Sequence, residues 1–303
     1  MSQSPVLAEH SVDDAFQAIL KANYAYMETW LDNAYHRETI RGVHQTRVSF
    51  RRMRSALSVF RKAIPREAVQ KMGDEMKWFA SELGPARDSD VFIDEGLGDK
   101  NIKGKIGPAA GEAKMLALTE AKNAEAYIKV RAAIDDPRFA QFRKDFTEWV
   151  DSKGWRNDMS PKMVKRLDKN ITGFAVKVMT KRFNKILAAG DDLGVLPDYE
   201  LHELRIQCKK LRYSIEFFSG LFDADEMAEF TARFKAVQRQ LGIINDVAVM
   251  PGLLEWVLGD SDDAEVKEFA DGVAKLRWEQ QGVAKSKLPG LWTDLGATKI
   301  PWA

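Results

Sequence analysis

The chain has 303 residues, of which 45% are hydrophobic and 30% are charged. This is the composition of an ordinary soluble protein with a sizeable core, and the length indicates two domains or two fused halves. The net charge of +1 argues against a protein that coats nucleic acid through overall basicity.

Sequence signals for secretion, membrane insertion and disulfide formation narrow the class of protein further. Residues 1–14 are polar and acidic, with no basic start, apolar run or small-residue cleavage site, so we expect no secretory signal. No stretch approaches the ~18–20 uninterrupted apolar residues of a membrane span. The single cysteine, Cys208, cannot form an internal disulfide, and no Cys or His cluster has the spacing of a zinc site. We therefore expect a cytoplasmic protein with no metal, no other cofactor and no membrane partner.

Eight segments carry apolar residues at three- and four-residue spacing, which predicts helices. Glycine and proline fall between these segments and predict the connections. No run alternates apolar and polar residues around hairpin turns, so the predicted fold class is all-α. The predicted helices are 13–36, 43–62, 66–83, 111–134, 162–189, 200–220, 225–241 and 263–285.

The second predicted helix is the first basic element. From Arg41 to Lys62 there are seven Lys or Arg residues and no acid. At ~100° per residue, an apolar stripe that includes Phe50 and Phe60 forms the core face of this helix. A second stripe lies roughly 110–120° away, beside the core rather than on the exposed back of the helix. It contains His44, Arg47, Arg51 and Arg54.

Self-similarity is the most informative feature of the chain. Residues 43–60 align without a gap on residues 201–218, at an offset of 158, and residues 83–91 align on 241–249 at the same offset. These matches predict a duplicated helical hairpin unit, with a boundary near residues 151–161. The repeated stripe consists of His202, Arg205, Lys209 and Arg212, and Arg52 recurs as Lys210.

Stacked cations one helical turn apart repel one another, so something must compensate them. One candidate is a set of carboxylates that follow the two Leu-Gly pairs, Leu83-Gly84 and Leu241-Gly242, and that could orient the arginines. These carboxylates are Asp88, Asp90 and Asp246. The other is a bound polyanion, because guanidinium groups bind phosphate oxygens in bidentate fashion. Both can hold together, with the carboxylates behind the cations and the ligand in front.

The two histidines begin the basic stripes, and they are either structural hydrogen bonders or members of an anion site that strengthens as pH falls. The sequence contains no nucleophile elbow, P-loop, dinucleotide glycine pattern or paired-acid metal motif. We therefore expect no catalytic residues and no enzymatic activity.

The motifs HQTRVSFRRMR (residues 44–54), HELRIQCKKLR (residues 202–212) and LGPARD (residues 83–88) resemble the conserved-histidine α-helical domain, or CHAD, family. The resemblance covers about residues 10–293. It implies two helical, four-helix-bundle-like halves, 1–155 and 156–303, related by a pseudo-twofold around a basic central cavity. It also implies binding of inorganic polyphosphate, often at polyphosphate granules.

Carried over position by position, the resemblance assigns ten polyphosphate-binding residues. Arg87, Asp88 and Asp246 would support them from behind, whereas helical geometry turns Arg52 and Lys210 away from the main stripes. The ten are His44, Arg47, Arg51, Arg52, Arg54, His202, Arg205, Lys209, Lys210 and Arg212.

The chain departs from the family pattern at three positions, and two alternatives stay open. Glu203 stands where a basic residue is common, Thr46 replaces an aliphatic one, and Asn245 aligns with Arg87, so the second half is expected to bind more weakly. No Glu-x-Glu-x-Lys signature of a fused triphosphate-hydrolysing domain occurs, which favours a stand-alone binder. The alternatives are a nucleic-acid binder, disfavoured by the few aromatics on the basic stripes, and a phosphohydrolase that uses His44 or His202. The sequence leaves the oligomeric state open.

Overall fold

The structure, a computed structural model, describes residues 4–157, 159–190 and 193–303. The described residues contain no strand, and their one β-bridge joins Ser11 to Asn170. The predicted all-α fold class is therefore confirmed. Residues 1–3 of the first predicted half, and residues 158, 191 and 192 of the second, lie outside the described residues.

Eleven α-helices follow one another along the described chain, and a π-helical turn, Phe92–Leu97, extends the fourth. The helices are α1 (Val12–His36), α2 (Arg41–Phe60), α3 (Gln70–Glu82), α4 (Gly84–Val91), α5 (Ala109–Asp135), α6 (Pro137–Asp151), α7 (Pro161–Leu167), α8 (Ile171–Leu187), α9 (Asp198–Phe218), α10 (Ala224–Leu258) and α11 (Ala264–Gly296).

Side-chain caps explain where several helices begin. At α1, Ser11 Oγ accepts from the Asp14 amide at 3.1 Å, and the Asp14 carboxylate accepts from the Ser11 amide at 3.4 Å. At α8, Asn170 Oδ1 accepts from the Thr172 amide at 2.9 Å, and Asp223 caps α10 in the same way. These caps satisfy backbone N–H groups that have no partner inside the helix.

The starts of α1 and α8 are joined directly. The Val12 amide donates to the Lys169 carbonyl at 2.8 Å, and the Ile171 amide donates to the His10 carbonyl at 3.0 Å. Helices α1 and α8 begin 159 residues apart, and α2 and α9 begin 157 residues apart. These intervals lie on either side of the sequence offset of 158, and the duplication itself stays a prediction.

One large apolar core draws residues from both predicted halves. Phe60 of α2 lies 6.0 Å from Phe218 of α9, measured between ring centroids, and 5.0 Å from Phe174 of α8. A second apolar cluster joins α5, α10 and α11 to the segment that follows α4. There α5 meets α11 so closely that a Cβ at Gly111 would lie 2.2 Å from the Glu265 carbonyl oxygen.

Two helices are longer than predicted. Helix α10 continues past residue 241 through Gly242 and Pro251, and α11 continues past residue 285 through Pro289. A proline inside a helix loses one backbone hydrogen bond. Apolar side chains on either side of Pro251, Met250 and Leu254, are buried, so packing of this face outweighs the lost bond.

Three further elements differ from the prediction. The segment predicted as one helix over 162–189 divides at Asp168–Asn170, where Asn170 caps a new helix. Helix α4 begins directly at the first Leu-Gly pair, where only a turn was predicted, and α6 was not predicted at all. The second Leu-Gly pair, Leu241-Gly242, lies inside α10 and makes no turn.

Among the described helices, α10 alone is long and apolar enough to cross a membrane by length and composition, and 28% of its most apolar window is buried. Core helices of folded proteins also meet this criterion. Here α10 packs along α11 and also contacts α9 and α5.

Candidate functional site

Helix α2 places its cations beside a buried apolar face. The predicted core stripe from residue 46 to residue 60 is largely buried, and Phe50 has no exposed surface. His44 and Arg47, next to this stripe, are half-buried, whereas Arg51 and Arg54 are exposed. The cations therefore run along a border between core and solvent, as the helical periodicity predicts.

His44 lies among arginines. Burial, together with the positive charges of Arg87, Arg51 and Arg47, lowers the pKa of His44 to about 4. The imidazole is thus neutral near neutral pH, and in this state it offers one donor and one acceptor rather than a charge.

Arg47 reaches across to the junction of α3 and α4. Its Nη1 donates to the Ala80 carbonyl, and a Cβ at Gly84 would lie 3.4 Å from that nitrogen. The glycine of the first Leu-Gly pair therefore leaves room for the guanidinium. Burial lowers the pKa of Arg47, which Asp88 partly offsets, and burial raises the pKa of Asp88 against the effect of Arg47 and Arg87.

Asp90 does not serve the arginines as the sequence predicted. Its carboxylate is buried and accepts hydrogen bonds from Asn123 Nδ2 and the Tyr127 hydroxyl, both at 2.9 Å. Burial raises the pKa of Asp90. This carboxylate ties α4 to α5, and the neighbouring Asp88 faces Arg47 in its place.

Helix α9 contributes a second set of cations, which lies close to the cations of α2. Burial, together with the positive charges of Arg205, Arg51 and Arg212, lowers the pKa of Lys209 to about 8. Burial also lowers the pKa of Arg205, which Asp246 partly offsets, and Arg51 again contributes to the lowering. Arg51 belongs to α2, so a cation of the first half acts on two cations of the second. The two predicted stripes thus lie within electrostatic reach of each other.

Asp246 is the counterpart of Asp88 in the second half. Burial raises its pKa, while Arg205 and Arg277 lower it. Arg277 comes from α11, and it also donates through Nη2 to the Glu95 carbonyl at 3.1 Å and lies 3.4 Å from Asp99 Oδ2 through Nη1. Arg277 thereby links the second carboxylate to the segment after α4. Glu95 itself pairs with Arg87, with 3.5 Å between Oε1 and Nη2.

The two histidines have different surroundings. His202 Nδ1 lies 2.9 Å from Asn245 Oδ1, and Asn245 occupies the repeat position of Arg87. The first half therefore sets its histidine beside a cation, and the second half gives its histidine a hydrogen-bond partner.

Arg52 and Arg212 share one carboxylate. Arg52 Nε lies 3.1 Å from Glu216 Oε2, and Arg212 Nε lies 3.4 Å from Glu216 Oε1. Arg212 also stacks over the ring of Tyr213, 4.8 Å from its centroid. The three charged groups border a cavity of about 310 Å³ between α1, α2, α9 and α10. Arg52 therefore lies beside Arg212, a member of the second stripe, although its helical position predicts that it turns away from the stripe of α2.

The remaining cations lack a close counter-charge. No carboxylate oxygen of the described residues lies within 4.0 Å of their side-chain nitrogens. Arg54 and Lys210 are exposed. The cations in this group are Arg47, Arg51, Arg54, Arg205, Lys209 and Lys210.

Metal ligands and the cysteine are the remaining chemical groups of interest. Within the described part of the chain, no group of three or more His, Cys, Asp or Glu residues is arranged to hold a metal ion. Cys208 is buried on the core face of α9, and burial raises its pKa to about 12, so its thiol stays protonated and is a poor nucleophile.

Three residues of the site region were not identified from the sequence. Glu216 follows Arg212 by one helical turn, and this spacing is a signal that sequence reasoning could have used. Arg277 and Glu95 are far from the motifs in sequence, and only the packing of α11 against the segment after α4 brings them to the site.

The chain is similar in sequence and in fold to known proteins. A family model described as CHAD domain matches residues 18–255. A crystal structure of the CHAD domain from the plant Ricinus communis superposes with a TM-score of 0.81 at 24% identity, covering 99% of this chain and 97% of that one. PptA from Streptomyces chartreusis superposes with a TM-score of 0.67 at 16% identity, covering 93% and 99%. A search among curated proteins found no match.

Proposed function

Because the chain belongs to the CHAD domain family, we propose that it binds inorganic polyphosphate and does not chemically transform it. Binding occurs at Arg47 and Arg51 of α2 and Arg205 and Lys209 of α9, which we call the central cation cluster. One observation carries the proposal: Arg52 of α2 and Arg212 of α9 lie 3.1 Å and 3.4 Å from the same carboxylate, that of Glu216. In keeping with this packing, the charge of Arg51 acts on Arg205 and Lys209. Cations of both halves therefore meet at one place.

The charge balance of the cluster favours an external anion. Its cations repel one another, and Asp88 and Asp246 stand behind them without coming within 4.0 Å of their nitrogens. Four positive groups with partial compensation gain most from a ligand that carries several negative charges. Polyphosphate offers such charges in series, and arginine can bind its oxygens in bidentate fashion.

Isothermal titration with orthophosphate, tripolyphosphate and longer polyphosphates, each at two salt concentrations, tests the proposal. Affinity should rise with chain length and fall steeply with salt, because each neutralised phosphate releases counterions. Equal affinity for orthophosphate and long chains would contradict the proposal.

Two side arms of the same experiment address the alternatives. RNA added as a competitor should displace long polyphosphate weakly; displacement at equal phosphate concentration would favour the nucleic-acid alternative. Incubation with polyphosphate and Mg²⁺ should release no orthophosphate, whereas release that depends on His44 or His202 would favour a phosphohydrolase.

A further inference from the structure

A second concentration of positive charge lies on α8, outside the central cation cluster. The whole chain is nearly balanced, with 46 basic and 45 acidic residues, yet α8 contains four cations and no acid. No carboxylate oxygen of the described residues lies within 4.0 Å of the nitrogens of these four. The four are Lys177, Lys181, Arg182 and Lys185.

Arg182 is the most unusual of the four, because it is half-buried and no carboxylate of the described residues pairs with it. Its Nη1 donates to the Lys210 carbonyl of α9 and to Ser214 Oγ, the latter at 2.9 Å. Burial lowers its pKa to about 10. An arginine has five N–H donors, and among the described residues the Nε and Nη2 groups have no acceptor, so they can bind a ligand.

The three lysines of α8 continue the positive charge of Arg182 along the helix. Lys177, Lys181 and Lys185 follow one another at four-residue spacing and are all exposed. They span about 12 Å along α8 and lie roughly 60–140° around the helix from Arg182. Like charges at this spacing destabilise a helix, and no acid of α8 relieves them.

Lys210 connects this surface with the central cation cluster. It is exposed, its carbonyl holds Arg182, and it follows Lys209 directly in α9. Helical geometry places Lys210 ~100° around α9 from Lys209, outside the main stripe, and ~40° from Ser214, which Arg182 contacts. A chain of phosphates that leaves Lys209 and crosses the exposed side of α9 therefore passes Lys210 before it reaches the cations of α8.

We propose that Lys210, Arg182 and the three lysines of α8, together the α8 track, bind the continuation of a polyphosphate chain that is anchored in the central cation cluster. This inference rests on the proposed function. A short polyphosphate fills the central cluster alone, whereas a long one occupies both surfaces. The α8 track would then add affinity for long chains only.

The test compares tripolyphosphate with a polyphosphate of many tens of units, by titration calorimetry on the full chain. The variant combines Lys177→Gln, Lys181→Gln and Lys185→Gln. A matched control removes the same charge at three exposed lysines elsewhere, with Lys103→Gln, Lys105→Gln and Lys129→Gln. Arg182→Lys provides a second variant that keeps the charge but loses the fork geometry.

The track variant should weaken long-chain binding about tenfold. The slope of the logarithm of the binding constant against the logarithm of the salt concentration should become shallower by ~2 or more, because about three phosphate contacts are lost. Tripolyphosphate binding should change less than twofold in that variant, and the control should resemble the wild type. Arg182→Lys should weaken the binding of long polyphosphate and leave the binding of tripolyphosphate unchanged. Equal losses in variant and control, or equal losses for short and long chains, would overturn the track. If wild-type protein bound neither chain length, the proposed function and the track would both be overturned.

Discussion

At the scale of single residues, burial is the main cause of the pKa shifts at the site. It lowers the pKa of Arg47, Arg205 and Lys209, and neighbouring positive charges act in the same direction. Asp88 and Asp246 oppose the effect only in part. Among these three cations, Lys209 is the one whose lowered pKa, about 8, lies near neutral pH.

Lys209 therefore predicts a pH dependence of binding. Its pKa of about 8 in the folded protein is lowered from 10.5, so the charged form is lost as pH rises through 8. Polyphosphate favours the charged form, so each pH unit above 8 should weaken binding by up to about tenfold.

The measurement is the polyphosphate dissociation constant at pH 7 and pH 9 for the wild type and for Lys209→Arg. The arginine stays protonated throughout this range, so its affinity should be nearly constant. A wild-type affinity that also stays constant between the two pH values would contradict a role for Lys209 in the cluster.

The sign for stability is the opposite. Between pH 8 and 10.5 the unfolded chain binds more protons at Lys209 than the folded chain does, so this group makes the folded state more stable as pH rises through that window. Binding and stability therefore change in opposite directions there, and the two effects can be measured separately.

At the scale of helices, close packing and open surface predict different outcomes for two glycines. A Cβ at Gly111 would lie 2.2 Å from the Glu265 carbonyl oxygen, whereas a Cβ at Gly242 meets nothing within 4 Å. Both positions are helical. Gly111→Ala should lower the free energy of unfolding by about 1–3 kcal/mol, because the backbone of α11 must move.

Gly242→Ala is the matched control and should raise the free energy of unfolding by about 0.5–1 kcal/mol, since alanine is the better helix former. Urea denaturation of both variants measures the difference. If Gly111→Ala were as stable as the wild type, α5 and α11 would not pack as closely as described.

The helices show how far local sequence signals reach. The bounds of α1, α2, α5 and α9 were predicted to within about two residues, because their apolar periodicity is clear. Helix α6 carries a similar signal, with Asp136 as its cap and buried Phe139, Phe142 and Phe146, and was missed although the pattern was present. The continuation of α10 through Pro251 could not be predicted, because it depends on burial by other helices.

The site also combines features that local sequence predicts with features that only tertiary packing determines. The repeat predicts the cations of α2 and α9 on equivalent faces, and the helical periodicity predicts Arg52 outside the main stripe. In the structure, Arg52 shares the Glu216 carboxylate with Arg212 of the second stripe. The partners from other helices depend on tertiary packing. Asp90 faces Asn123 and Tyr127, and Arg277 reaches Asp246 from α11, and neither relation has a signature at the level of sequence.

At the scale of the whole molecule, the halves meet through both their core and their charges. The predicted division between residues 155 and 156 falls beside Trp155, which is fully buried. Phe60 and Phe218, which occupy equivalent repeat positions, pack against each other across the two halves. A ligand that bridges the central cation cluster therefore contacts a surface built jointly by α2 and α9.

Joint binding predicts that Arg47 and Arg205 contribute to one site. Arg47→Ala and Arg205→Ala should each weaken polyphosphate binding about tenfold, since a hydrogen bond to a charged group contributes ~1.5–3 kcal/mol. The double variant should lose at least as much as the two losses combined. Titration calorimetry measures all three, with circular dichroism to verify that Arg47→Ala, which loses its contact with Ala80, remains folded.

The control is Lys129→Ala combined with Lys144→Ala, two exposed lysines of α5 and α6. This variant removes the same charge, so it should weaken binding less than twofold. Similar losses in the control and in the Arg47/Arg205 double variant would show that general charge, rather than the repeated motif, governs binding.

The joined starts of α1 and α8 have a consequence for the order in which the protein folds during synthesis. The Val12 amide pairs with the Lys169 carbonyl, and Asp13, which is fully buried, is held by Trp155 Nε1 at 2.7 Å and Arg156 Nε at 2.8 Å. A nascent chain emerges in the order of its sequence, so the first turn of α1 lacks these partners until the segment that follows α7 has been synthesised. Helix α1 therefore leaves the ribosome well before the residues that secure its first turn.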